Sequence, residues 1–259
     1  MDLQLQGKIA LVCGASQGLG FASARALALE GAVVTLVARR PDVLAQAAER
    51  IRQAGAADVR AVAADITTAA GRQAALAASG APDILVTNAG GPKPGDFREW
   101  TEADWMSALN NNMVSPIALI QSVIDPMIGR GFGRIVNITS SAVKMPIDIL
   151  GLSNGARSGL TGFVAGLARQ VAQHNVTLNN LLPGAFATVR LLETARRVAE
   201  DTGATLDAVQ NDRLKAIPAR RFGDPAEFGD ACAFLCSPRA GYITGQNLLL
   251  DGGAYPGTF

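Results

Sequence analysis

Histidine, tyrosine, cysteine and net charge are all scarce in this 259-residue chain, and each scarcity removes a class of function. Three cysteines, Cys13, Cys232 and Cys236, are too few for a disulfide framework and lack the paired spacing of a zinc site. Cys232 and Cys236 stand four apart in an apolar stretch, which places them on one helix face as small core residues in a reducing, cytoplasmic setting. The only histidine, His174, lies between Gln173 and Asn175 and reads as a surface residue of a polar turn, so no metal is expected. With 23 basic and 22 acidic side chains the formal net charge is +1, which supplies no field for nucleic acid. No apolar run approaches the roughly 18 residues of a membrane span. The run from Ile9 to Cys13 is too short for a leader, and no cationic segment precedes it.

What is present is a rhythm. Short β-branched or apolar runs near 8–13, 32–38, 58–63, 83–87, 133–139, 176–182 and 246–250 alternate with segments of helical spacing. Those segments fall near 18–30, 41–53, 68–79, 101–128, 152–173, 189–198, 204–215 and 225–236. The alternation predicts a single-domain α/β fold of Rossmann type, a doubly wound seven-stranded parallel sheet with helices on both faces. Residues 32–37 and 134–138 read as continuous apolar strands and are expected at the sheet centre. No linker breaks the rhythm, so residues 1–259 are expected to form one domain. Between Pro183 and Pro225 a helical pair interrupts it; an insertion over 184–215 at a strand's C-terminal end is placed to cover a ligand crevice.

The first strand runs directly into Gly14-Ala15-Ser16-Gln17-Gly18-Leu19-Gly20, which opens the first helix. Glycines there let the backbone turn tightly and approach a pyrophosphate, and the helix-start amides favour its charge. The acidic residue that would bind a ribose diol is expected about twenty residues on. Ala38-Arg39-Arg40 stands there instead, and an arginine fork suits a 2′-phosphate, which favours NADP(H) over NAD(H). The competing reading is that Arg39 and Arg40 merely solvate the turn before Pro41.

From these residues the chain resembles the short-chain dehydrogenase/reductase family, and in particular its 3-oxoacyl-(acyl-carrier-protein) reductases, over nearly its whole length. The glycine motif carries Cys13 where the family has threonine. Asp65-Ile66 resembles the adenine-contacting pair, Asn88-Ala89-Gly90 the motif after strand four, and Asn112, seven beyond Trp105, the helix asparagine of a proton relay. Ser140 matches the active-site serine, and Pro183-Gly184 with Thr188 the segment that contacts the nicotinamide amide and phosphate. One signature departs from the pattern. Thirteen residues after Ser140, the family's Tyr-x-x-x-Lys is here Ser153-Asn154-Gly155-Ala156-Arg157. A serine hydroxyl is far less acidic than a phenol and an arginine stays protonated, so neither takes over the proton work directly.

The site is not thereby emptied. Arg157 keeps a charge suited to ribose hydroxyls or an oxyanion, and Ser140 and Ser153 keep two hydroxyls. Lys144, four beyond Ser140, is the candidate replacement acid or else a solvated loop lysine, and Asp148 is at most its ion-pair partner. Tyr242 and Tyr255 fall elsewhere in the chain. The resemblance implies an NADP(H)-dependent oxidoreductase acting on a small molecule: a carbonyl reductase, or a reductase of an activated C=C bond. A non-redox nucleotide-binding descendant is the alternative class. It also implies a homotetramer, with which the small residues Gly155, Ala156, Gly159, Gly162 and Gly166 are compatible, and whose neighbour the tail at 255–259 is long enough to reach. The insertion carries Phe186, Leu191, Leu192, Arg196, Arg197 and Leu214, a mixture that admits apolar or anionic compounds.

Overall fold

The computed structural model describes residues 1–56 and 58–258. Seven strands, β1 (Ile9–Cys13), β2 (Val33–Ala38), β3 (Val59–Ala63), β4 (Ile84–Thr87), β5 (Gly133–Ile138), β6 (Val176–Pro183) and β7 (Asn247–Leu250), form one sheet in the order β3-β2-β1-β4-β5-β6-β7. All six pairings are parallel. Alternation within strands assigns side chains to two cores. Ala10 and Val12 of β1 join one beneath α1 (Gly18–Leu29), α2 (Pro41–Gln53) and α9 (Pro225–Cys236). Leu11 and Cys13 join the other beneath α3 (Ala69–Ser79), α5 (Ser115–Arg130) and α6 (Gly151–Val171). Each fully buried leucine or isoleucine in them contributes about 1.5–3 kcal/mol. Cys232 and Cys236 lie fully in the first core, and burial pushes the Cys13 thiol in the second up to about 12.

The chain order reverses between β1 and β4, which opens a crevice at the carboxyl ends of the strands. Helices α7 (Val189–Thr202) and α8 (Leu206–Lys215) follow β6 and account for the interruption of the rhythm. Three expectations shift. The long helix near 101–128 is two, α4 (Glu102–Leu109) and α5, joined through a π-helical turn at Asn110–Val114, where an extra residue per turn widens the spiral. Strand β2 lies one in from the edge rather than at the centre, and the central place is taken by four-residue β4. A continuous apolar run therefore reports burial on both faces, not rank in the sheet. Third, of the small residues on α6, Gly155 and Gly159 are spaced against this chain itself. A methyl group on them would stand 3.1 Å from the Trp105 ring and 2.7 Å from the Met113 sulfur. Gly162 and Gly166 face open space.

A buried polar ladder crosses the second half of the sheet. The Thr87 hydroxyl donates to Asn137 Oδ1 (2.6 Å), Asn137 Nδ2 to Asn180 Oδ1 (3.1 Å) and Asn180 Nδ2 to Asn247 Oδ1 (2.8 Å). These residues are direct register partners on β4, β5, β6 and β7, so each buried amide finds its hydrogen bond on the next strand.

Candidate active site

Two loops meet where the chain reverses. Gly14, at φ +60°, turns the backbone out of β1, and a side chain there would stand 2.6 Å from Asn88 Nδ2. A methyl on Gly20 would run into the Gly14 carbonyl oxygen, the same oxygen that accepts from Asn88 Nδ2 at 3.3 Å. The β1 and β4 loops are thereby pinned with bare backbone facing out. Gln17, the N-cap of α1, gives no side-chain hydrogen bond to the helix start, so the first-turn amides keep their donor capacity. A crevice of about 870 Å³ opens over this turn.

Its walls gather most of the residues singled out from the sequence. Gly14, Ser16, Gln17, Gly18, Leu19, Arg39, Arg40, Asp65, Ile66, Asn88, Ala89, Gly90, Arg157, Pro183 and Thr188 all line it. At the β2 end, Arg40 donates to Gln17 Oε1 (3.1 Å), tying the arginine turn to the glycine turn. Asp65 accepts from the backbone and hydroxyl of Thr67 (3.0 and 2.8 Å). Those bonds, the backbone one foremost, hold its carboxyl below the usual range, and nearby Arg39 adds to the effect. Thr188 lines the opposite wall and caps α7 by accepting from the Leu191 amide (3.3 Å).

At the β5 end the arrangement is different. Arg157 is only 7% exposed; its Nε donates to Ser153 Oγ (3.2 Å) and its Nη1 to the Ile138 carbonyl (2.9 Å), with no carboxylate in either bond. Burial first, and the nearby Arg190 second, pull its guanidinium down to about 10, so it remains charged at neutral pH. Ser140 accepts from the Ala142 amide (3.1 Å) and thereby caps the short turn Ser141–Val143. Lys144 ends that turn with its Nζ 5.8 Å from the centre of the Tyr255 ring.

Several named residues do not line the crevice. Gly20 and Gly184 are packing positions, the latter because a methyl would stand 2.7 Å from Asp251 Cβ. Ser140, Ser153, Asn112 and Lys144 are not on the wall either. Asn112 is buried in the π-turn with Nδ2 on the Ala108 carbonyl (3.3 Å), and the neighbouring Asn111 takes the wall position. Among the described residues no ion pair joins Lys144 to Asp148. Tyr255 lies beside the loop after β5 of its own chain, which corrects its placing elsewhere; Phe259 at the end of the tail lies outside the described residues. His174 is exposed, and among the described residues no three His, Cys, Asp or Glu are grouped for a metal.

Sequence reasoning missed, among the wall residues, Ala64, Thr67, Gly91, Asn111, Val189 and Arg190. Arg190 had a signal, since it sits two beyond Thr188 where the helix start places it over the crevice.

The sheet order, the reversal and the glycine turn at a helix start define a dinucleotide-binding α/β protein of Rossmann type. Residues 14–255 match the family model described as enoyl-(acyl carrier protein) reductase, and the chain belongs to that family of short-chain dehydrogenases/reductases. It is 34% identical over 259 residues to the 3-oxoacyl-(acyl-carrier-protein) reductase of Vibrio cholerae, covering 98% of this chain and 99% of that one. It is 35% identical over 257 residues to the acetoacetyl-CoA reductase of Allochromatium vinosum, covering 96% and 98%. Among solved structures, the L-sorbose reductase of Gluconobacter frateurii, complexed with NADPH and L-sorbose, superposes with a TM-score of 0.93 at 30% identity, covering 99% and 100%. In no helix of the described residues is there a stretch long and apolar enough to cross a membrane.

Proposed function

We propose that this protein is an NADP(H)-dependent reductase of a small carbonyl compound whose proton delivery does not use the family's Tyr/Lys pair. The observation that carries the reading is the single crevice that joins an arginine turn at the β2 end to a buried, charged Arg157 at the β5 end. NADPH-bound sorbose reductase and the ketoacyl reductases among its relatives support the same reading.

The residues fit such a cofactor by shape and charge. The open glycine turn and the amides of α1 would take the pyrophosphate, Arg39 and Arg40 the 2′-phosphate, and Asp65-Ile66 the adenine end. Pro183 and Thr188 would border the nicotinamide, whose hydride is the chemistry the bound cofactor supplies, with Gly184 packed next to them. The protein has to hold the carbonyl and deliver a proton to its oxygen as the hydride reaches the carbon. Ser140 accepts one hydrogen bond from the Ala142 amide and Ser153 one from Arg157, and in this reading each turns its hydroxyl proton toward the carbonyl oxygen. Arg157 stabilises negative charge without giving up a proton. Lys144 is the assigned donor, directly or through water. Asn112 anchors the π-turn behind them. In this reading residues 1–259 act as one domain, with 184–215 covering the substrate, and the functional unit is a homotetramer.

The family model's description favours a second reading, reduction of an activated C=C bond, where an enolate oxygen needs donors more than an acid. The deciding experiment is NADPH and NADH consumption by the purified protein against ketones, β-keto thioesters and enoyl thioesters, with nucleotide binding recorded in the same samples. Turnover of the first two classes supports carbonyl reduction, and turnover of the third alone supports the second reading. Tight NADPH binding with no turnover moves the assignment to a non-redox nucleotide-binding role. Failure to bind either nucleotide overturns the reductase reading.

A further inference from the structure

The charge on the crevice walls is lopsided. Four arginines, Arg39, Arg40, Arg157 and Arg190, line it, against one carboxylate, Asp65, already occupied by Thr67. Arg39 and Arg40 sit at the same end as Asp65, beyond β2 and β3. Arg157 lies against β5, four strand positions from β3 in the sheet. Arg190 reaches into this far end from the first turn of α7, and its guanidinium lies flat on Gly91, where a Cβ would stand 3.0 Å from Nη1. The contact exists because Gly91 has no side chain. Two guanidinium groups therefore line this end of the crevice, Arg157 buried and Arg190 exposed, with Arg190 near enough to disfavour the charge of Arg157.

Neither arginine has an acidic partner. Arg157 spends Nε and Nη1 on neutral oxygens, and among the described residues Arg190 takes part in no ion pair. Arg157 is a buried charge, which is ordinarily paired, and with the exposed Arg190 beside it and no carboxylate bonded to either among the described residues, the pair leaves an opening for an anion. Guanidinium forks match the paired oxygens of a carboxylate or phosphoryl group. We propose that Arg157 and Arg190 together form an oxyanion-binding site at the β5–β6 end of the crevice, with Arg190 carried on the first turn of the helical insertion.

This deepens the reductase reading and rests on it only for the location of the cofactor. The oxyanion belongs either to the nicotinamide-side phosphate of the dinucleotide or to a carboxylate or phosphoryl group on the substrate. Titration calorimetry of the wild type, Arg190→Ala and Arg190→Lys with NADPH, 2′,5′-ADP, oxalate and inorganic phosphate separates the two. The last two probes are titrated into the free protein and into its NADPH complex. In Arg190→Ala we expect at least one oxyanion to bind about 10- to 100-fold more weakly, with 2′,5′-ADP, which lacks the nicotinamide half, within about twofold of wild type. Arg190→Lys restores part of the loss, since it keeps the charge without the fork. A loss confined to NADPH assigns the cofactor phosphate. A loss of oxalate or phosphate binding to the NADPH complex, with NADPH itself unchanged, assigns the substrate. Unchanged affinity for every probe overturns the proposal, and so does equal weakening of all four, which would mark a general disturbance of the fold. If wild-type protein binds no NADPH, the reductase reading fails, while oxalate and phosphate titrated into the free protein still decide this site.

Discussion

The two ends of the crevice solve the problem of holding charge in opposite ways. At the β1–α1–β2 end the work is done by backbone: two glycines with no room for a methyl group, helix-start amides, and arginines on an exposed turn. At the β5–α6 end it is done by side chains that are buried and mutually committed, Arg157 bonded to Ser153 and to the Ile138 carbonyl. Backbone sites tolerate little change because the chain itself is the ligand. Side-chain sites rest on the particular groups that meet there, here Arg157 and the Ser153 hydroxyl it bonds.

Substitutions break this contrast in a defined order. The largest effect is expected for Gly20→Ala, whose methyl would displace the Gly14 carbonyl and open the glycine turn. NADPH affinity should fall by about 100-fold or more, equivalent to about 2.8 kcal/mol. Titration calorimetry measures it, and an unchanged circular dichroism spectrum shows that the sheet persists. Arg157→Met at the opposite end should lower kcat by about 100-fold with NADPH affinity changed far less, as expected for charge needed mainly in the transition state. An equal loss in both would make Arg157 a cofactor ligand only. Arg39→Ala should weaken NADPH by about 10-fold or more through lost charge-assisted bonds and leave NADH unchanged; equal weakening of both nucleotides would sink the 2′-phosphate assignment. Lys144→Ala should lower turnover by about 10-fold without changing NADPH binding, and an unchanged turnover removes the lysine from the mechanism.

The smallest effect concerns stability alone. Glu227 is bonded to Arg221 and to the Asp224 amide, and these bonds lower its carboxyl from the ordinary 4.5 to about 2. A folded-state value below the unfolded one means that its contribution is complete above about 4.5 and lost as pH falls toward about 2. Glu227→Gln should therefore flatten the acid limb of a thermal-denaturation series within that window and leave neutral-pH turnover unchanged. A wild-type acid limb in that variant would show that the exposed pair contributes nothing.

The backbone end was legible in the sequence because its signal is local. Helix α2 appears at the boundaries read from periodicity, Pro41–Gln53, and the glycine turn falls between a strand and a helix as its spacing requires. The side-chain end was legible only as a set of names. That Ser153 accepts from Arg157, or that Asn111 rather than Asn112 takes the wall, depends on the π-turn at Asn110–Val114, which leaves no trace in an apolar pattern. Arg190 escaped notice because an arginine on an amphipathic helix reads as solvated surface until the facing loop, here a bare glycine, is in place. The approach of Tyr255 to Lys144 joins segments over a hundred residues apart and has no local signature.

The asparagine ladder gives the order of synthesis a physical meaning. Its donors all run one way, from Thr87 through Asn137 and Asn180 to Asn247, and the final acceptor stands on β7, the last of the seven strands in chain order. Until that last strand emerges, the Asn180 amide has a donor with nothing to receive it inside an otherwise dry layer, at a cost of about 1–3 kcal/mol. The nascent sheet thus carries its own incentive to wait, and the segment after the strand that closes the ladder brings Asp251 beside Gly184 and Tyr255 beside Lys144 as the interior is sealed.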